Sequence, residues 1–148
     1  MSDFERLKSI FNTEEKCLRF LLVNNEIETC NSCNGTEFYY GDDFEKTFKK
    51  VCKTCKKKIS PTKDTIFQNV KFGLVTAFCI YIEYKLCNKE LSSVEVANTY
   101  HITQKTAWEF LNKIKNANKD FSIQRYLNDE ILENEIKLFM WLIRSKNY

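Results

Sequence analysis

Four of the seven cysteines in this 148-residue chain come in a pattern that can do chemistry. Cys30-Asn31-Ser32-Cys33 and Cys52-Lys53-Thr54-Cys55 are two C-x₂-C pairs separated by 18 residues. A single pair has the spacing of a thioredoxin-like redox motif, whereas two at this separation match a four-cysteine zinc site. Each pair sets two thiolates on one tight knuckle. Four thiolates at tetrahedral positions suit Zn²⁺, which takes sulfur ligands and has no geometric preference of its own. Such a site leaves no coordination position for water. One structural zinc, rather than a catalytic one, is therefore expected on Cys30, Cys33, Cys52 and Cys55. Disulfides are the competing use, but the cysteine count is odd and nothing like a signal peptide precedes the pairs. Cys17, Cys79 and Cys87 lie in apolar helical surroundings and read as small buried hydrophobes.

Charge is the second signal. The net charge is only +3, yet residues 46–63 carry eight lysines and no acid, so the positive charge gathers on the cysteine segment. A dication held by four thiolates keeps a net negative charge, which some of these lysines offset. The excess makes a positive surface suited to a polyanion. Lys49, Lys50, Lys53, Lys56, Lys57 and Lys58 are the candidate phosphate contacts. A solvated lysine-rich hairpin is the plainer alternative.

These residues need elements to hold them. Phe38, Tyr39 and Tyr40 form a strand-like run, and 47–51 and 58–60 form two more, with turns at Gly35 and Gly41. Two knuckles on short antiparallel strands make a zinc ribbon over 26–67. The aromatics Phe38, Tyr39, Tyr40 and Phe48 are expected to cover one face of its sheet rather than stack on bases. Ahead of it, residues 1–25 read as two helices, one over 3–11 capped by Ser2 and one over 13–23 with Asn12 and Glu15 as a capping box. The pair is expected to pack onto the ribbon, with Cys17, Leu18, Leu21 and Leu22 facing inward.

Residues 68–119 carry a different pattern. A long helix over 70–87, apolar on several faces, should be buried on more than one side. Ser92 or Ser93 caps a short helix. His101-Ile102-Thr103 forms a turn, and Thr103 caps a third helix over 104–118. His101 is placed where a left-handed backbone is often needed, which histidine tolerates. Ala107, Trp108, Leu111 and Ile114 form the expected inward stripe. The combination is a helix-turn-helix, in which the start of the last helix reaches base edges in the major groove. Thr103, Gln104, Lys105 and Thr106, with Glu109 and Lys113 further along, are the candidate contacts, since Gln can pair with adenine and Lys can reach guanine. A three-helix core that binds no DNA is the alternative. Over 127–147 an amphipathic helix is expected, its apolar face closing the core or forming a homodimer seam.

Taken in order, these pieces resemble the N-terminal half of insertion-sequence transposases that place a zinc ribbon ahead of a DDE catalytic domain, and their eukaryotic Merlin relatives. Phe11-Asn12-Thr13-Glu14-Glu15-Lys16-Cys17 is similar to the family's opening segment. The cysteine pairs match its ribbon. Ser60-Pro61 and Thr65-Ile66-Phe67 match the family's segment just past the ribbon, and Leu91-Ser92-Ser93 through Thr103-Gln104-Lys105-Thr106-Ala107-Trp108 matches its helix-turn-helix. The likeness covers residues 10–119. His101 stands where the family has glycine, and Asn31 and Asn34 replace a proline and a glycine. The resemblance implies double-stranded DNA, in particular transposon terminal inverted repeats, as partner. The catalytic carboxylates of the family are not matched. Asp129-Glu130 sits in a helical pattern, so no catalytic residue and no enzyme activity is expected of this chain unless another supplies the catalytic domain.

The expected fold is therefore mainly α with a small β zinc ribbon, in four segments: 1–25, 26–67, 68–119 and 120–148. A hydrophobic content of 43% and a charged content of 29% describe a soluble globular chain. The longest apolar run, 72–82, is too short to cross a bilayer. Cytoplasm or nucleoid in a bacterium, or nucleus in a eukaryote, is the expected compartment. A zinc-stabilised protein-interaction module is the remaining functional alternative.

Overall fold

A computed structural model describes residues 2–87 and 91–146. Met1, Asn88, Lys89, Glu90, Asn147 and Tyr148, which the expected segments include, lie outside the described residues. The fold is mainly α with a small three-stranded antiparallel sheet. Its elements are α1 (Asp3–Ile10), α2 (Glu14–Asn24), β1 (Phe38–Tyr39), α3 (Phe44–Thr47), β2 (Lys50–Cys52), β3 (Lys58–Ile59), α4 (Leu74–Leu86), α5 (Ser93–Tyr100), α6 (Gln104–Lys115), a 3-10 helix (Ile123–Leu127) and α7 (Asp129–Lys146). Among the described residues no helix is long and apolar enough to cross a membrane.

Local signals explain most helix starts. Ser2 Oγ accepts the Glu5 amide at 3.2 Å and begins α1. For α2 the cap is Thr13, one residue later than expected: its extended backbone lets Oγ1 accept the Lys16 amide, while Asn12 accepts from the Lys16 ammonium instead. The expected strand at 47–51 is displaced. Residues 44–47 form the short α3, Phe48 turns left-handed at φ 56°, and β2 pairs only from Lys50. Gly73, at φ 101°, sets the start of α4 and leaves 70–72 outside the helix.

Two apolar clusters result. The larger joins α1, α2, α4, α5, α6, the 3-10 helix and α7, and it includes Ile66 and Phe67 from just past the ribbon. Phe20 is central to it, packing edge-on against Phe11, Phe78, Phe121 and Tyr126. The first two helices accordingly pack on α4, the 3-10 helix and α7 rather than chiefly on the ribbon. An edge-to-face ring packing of this kind contributes about 0.5–1.5 kcal/mol beyond area burial, and Phe78 of α4 also meets the rings of Phe11 and Phe67. Six consecutive residues of α4, from Ala77 to Ile82, are buried.

The smaller cluster is Cys30, Cys52 and Ile59, with Ile27, Cys33 and Phe38 at its edge. Side chains join the two bodies. Buried Asn25, at the end of α2, donates to the carbonyls of Pro61 (2.7 Å) and Lys63 (2.9 Å) and accepts from the Lys119 ammonium (2.7 Å). Tyr81 donates to Asp120 (2.8 Å) and accepts the Phe121 amide (2.9 Å), closing the chain after α6 onto α4. The Tyr100 hydroxyl donates to Glu83 (2.7 Å), fastening α5 to α4. In α7, Leu132, Ile136 and Ile143 are buried, while Leu138, Trp141 and Leu142 face outward.

Candidate functional site

The two cysteine knuckles are built alike. The Asn34 amide donates to the Cys30 carbonyl (2.8 Å), and the Cys30 amide to the Gly35 carbonyl (2.8 Å). In the second, Lys56 donates to the Cys52 carbonyl (2.9 Å), and Cys52 to the Lys57 carbonyl (3.0 Å). The residue after each second cysteine is left-handed, Asn34 at φ 59° and Lys56 at φ 65°. Asparagine is among the few residues that adopt this conformation readily, so the turn at Asn34 needs no glycine. Antiparallel pairing of β1 with β2, Phe38 opposite Cys52, brings the knuckles face to face.

The four sulfurs then lie within 4.8 Å of one another. Cys30 and Cys55 Sγ are 3.6 Å apart, and Cys33 and Cys52 Sγ 3.5 Å. A tetrahedron with metal–sulfur bonds of about 2.3 Å has edges of about 3.8 Å, so this set fits a tetrahedral ion. The spacing is far beyond a disulfide bond of about 2.05 Å, and all seven cysteines are free. Backbone amides prepare the site for negative charge. The amides of Ser32 and Cys33 aim at Cys30 and pull its thiol down to about 6. Those of Cys55 and Thr54 pull Cys52 down as well. For Cys33 the Gly35 amide also acts downward, but the adjoining thiols override it and push it up to about 12. Four thiolates this close need a cation between them. Burial instead pushes Cys17 up to about 12 and raises Cys79, which marks both as inert thiols packed in the core.

Gly35 has a role beyond a turn. A Cβ there would meet Cys33 Sγ and Cys52 Sγ at 3.2 Å and Thr54 Oγ1 at 3.1 Å. The sequence marks Gly35 as a turn residue but carries no sign that sulfur would lie against it.

The lysines divide into two groups. Lys50 points inward, donates to the Ile27 carbonyl, and sits 4.0 Å over the Phe38 ring. Burial, then the charge of Lys63, lowers its pKa. Lys63, only 7% exposed, donates to the Thr29 carbonyl at 2.7 Å. Together these two clamp the segment that leads into Cys30. The second group is exposed. Lys49 and Lys53 are at the surface, Lys56 lies over the Tyr39 ring, Lys57 donates to Ser32 (3.0 Å) and Lys58 pairs with Asp43 (2.7 Å). Lys49, Lys57, Lys58 and Lys63 border one pocket of about 220 Å³ beside Cys30. Phe48 is buried against Phe44, and Tyr40 packs edge-on to Phe44 and to Phe139 of α7, so these aromatics are packing residues on the side of the ribbon that meets α7.

On the helical body, Ser92 accepts the Val94 amide and starts α5, and His101 ends it in the left-handed region at φ 57°. Thr103 accepts the Thr106 amide at 3.1 Å and starts α6. Small, buried Ala97 and Ala107 lie at the packed face of this pair. Gln104, Lys105, Glu109 and Lys113 are exposed on α6, as is the capping Thr103, while Thr106 is half-buried. The inward stripe is Ala107, Phe110, Leu111 and Ile114. Trp108, expected inside, is 59% exposed. The i, i+3, i+4, i+7 spacing from Ala107 selects Phe110 and leaves Trp108 outside, a signal that strict helical counting would have caught.

Trp108, Glu109, Asn112 and Lys113 line a groove of about 730 Å³ whose opposite wall is the segment 64–69. Gln68 borders both this groove and the lysine pocket of the ribbon. Comparison with protein-family models, with curated proteins and with solved structures returns no match for this chain. The class defined by the fold is thus a mainly helical protein with a four-cysteine centre able to hold a metal ion.

Proposed function

We propose that the chain is a zinc-stabilised, sequence-specific binder of double-stranded DNA. Zn²⁺ is the ion assigned to Cys30, Cys33, Cys52 and Cys55, because an all-thiolate tetrahedral set selects a soft or borderline ion and closes its coordination shell. Its part is architectural: it holds the ribbon in shape. α6 enters the major groove, with Gln104 and Lys105 at base edges and Lys113 at the phosphates, while ribbon lysines take the adjoining backbone. The observation that carries this reading is the common border at Gln68, where the groove along Trp108, Glu109, Asn112 and Lys113 of α6 adjoins the lysine pocket. The residue order that resembles the DNA-binding half of ribbon-bearing transposases favours the same partner, with terminal inverted repeats as the site.

Binding to labelled duplexes at low and high salt tests it. Lys113→Ala should weaken specific and random duplexes alike and flatten the salt dependence, whereas Gln104→Ala should narrow the gap between them. Absence of any shift at low salt sinks the proposal in favour of a protein-interaction module.

A further inference from the structure

The groove shared by α6 and residues 64–69 differs in chemistry from the lysine pocket beside it. Its volume, about 730 Å³, falls in the range of roughly 300–1,000 Å³ that accommodates small organic ligands. Trp108 stands 59% exposed in its wall, level with Leu138 and behind Trp141 among the large hydrophobic side chains of the described residues. Carboxamides face the same space from both sides, Gln68 and Asn69 from one, Asn112 and Asn116 from the other. Charge is balanced, with Asp64 and Glu109 against Lys113 and Lys119. A phosphate backbone is served by the lysine pocket. An indole face with carboxamides and no excess charge suits a nucleobase instead, since every base offers a π-face and a donor–acceptor edge. In a duplex each base face is covered by its stacked neighbours, and only the edges are open. Stacking on Trp108 therefore requires a base that is out of the stack.

We propose that this groove binds an unpaired DNA strand, with one base stacked on the Trp108 indole and its edge held by Gln68 and Asn112. The phosphates of the strand then run toward the lysine pocket across Gln68. The inference deepens the reading of α6 as a DNA-facing helix and rests on it for the class of ligand.

The chain has two tryptophans, so Trp141→Phe leaves Trp108 as the single indole reporter. In that background, titration with a short mixed-sequence single strand should quench the fluorescence, with weaker quenching by the same strand annealed and least by a mononucleotide. Trp108→Ala should lower single-strand affinity about tenfold or more, as loss of one stacking platform does, and Trp108→Phe should restore most of it. Because the side chain lies outside the core, the alanine variant should keep its unfolding temperature. Quenching by duplex alone, equal binding of mononucleotide and strand, or unchanged affinity in Trp108→Ala overturns the inference. Duplex binding without single-strand binding removes this inference and leaves the duplex reading standing. Single-strand binding without duplex binding removes the duplex reading alone.

Discussion

Removing the proposed zinc should unfold the ribbon and spare the helical body. The ribbon's apolar cluster is Cys30, Cys52 and Ile59, with Ile27, Cys33 and Phe38 half-covered. Burying Ile59 contributes about 1.5–3 kcal/mol, and the Lys50 ammonium over Phe38 adds about 0.5–1 kcal/mol. Strands of two and three residues cannot hold a sheet without a larger core. A structural zinc contributes about 10–16 kcal/mol in peptide models, as much as the burial of Phe44, Phe48, Val51 and Ile59 together at about 1.5–3 kcal/mol each. The helical cluster, by contrast, is built from Leu7, Phe11, Phe20, Phe78, Ile80 and Ile123, all fully buried and none a metal ligand. Hydrogen exchange before and after chelation measures the two separately. Amides of Val51 and Cys52 should lose their protection, while those of 77–82 keep most of theirs, and far-UV dichroism should retain its helical minimum. Protection at Val51 that survives chelation refutes the metal dependence. Parallel loss at Val51 and at 77–82 refutes the separation into two clusters.

Three further outcomes are expected. Gly35→Ala should weaken metal retention by roughly tenfold or more in chelator competition, since its Cβ would press on Cys33 and Cys52 Sγ at 3.2 Å. Asn25→Ala should orphan the carbonyls of Pro61 and Lys63 and cost about 1–3 kcal/mol per buried group in thermal unfolding. Tyr126 sits between Glu135 (2.7 Å) and Asn24 (3.0 Å), and burial followed by Glu135 pushes its phenol up to about 12. A folded pKa above the unfolded one means stability that is complete below about pH 10 and is lost as pH rises through the folded value. Tyrosinate absorbance should therefore show this phenol ionising well after exposed ones, and Tyr126→Phe should reduce the alkaline loss of stability.

Local chemistry made much of this protein legible from its residues. Two C-x₂-C pairs mark by spacing alone the four sulfurs that gather within 4.8 Å of one another, because each pair sits on its own local knuckle. Ser2, Ser92 and Thr103 mark helix starts because a side-chain oxygen reaches an amide within three residues. His101 marks a left-handed turn for a similarly local reason. Elements fail to show where nearest neighbours do not decide them. The first two helices carry an apolar face, but nothing in their sequence says whether ribbon or α4 covers it. The ring cluster around Phe20 and Phe78 settles that, because α4 offers the larger apolar surface. Lys50 and Lys63 are lysines like their neighbours in composition. Only the path of residues 27–29 past the ribbon turns them inward onto the carbonyls of Ile27 and Thr29. The same holds for Gly35, whose missing Cβ matters only once strand pairing sets sulfur against it. Sequence by itself determined which four cysteines gather, the caps at Ser2, Ser92 and Thr103, and the class of the fold. Tertiary structure alone decided which polar groups became internal ties and which stayed on the surface, because that depends on contacts between residues far apart in the chain.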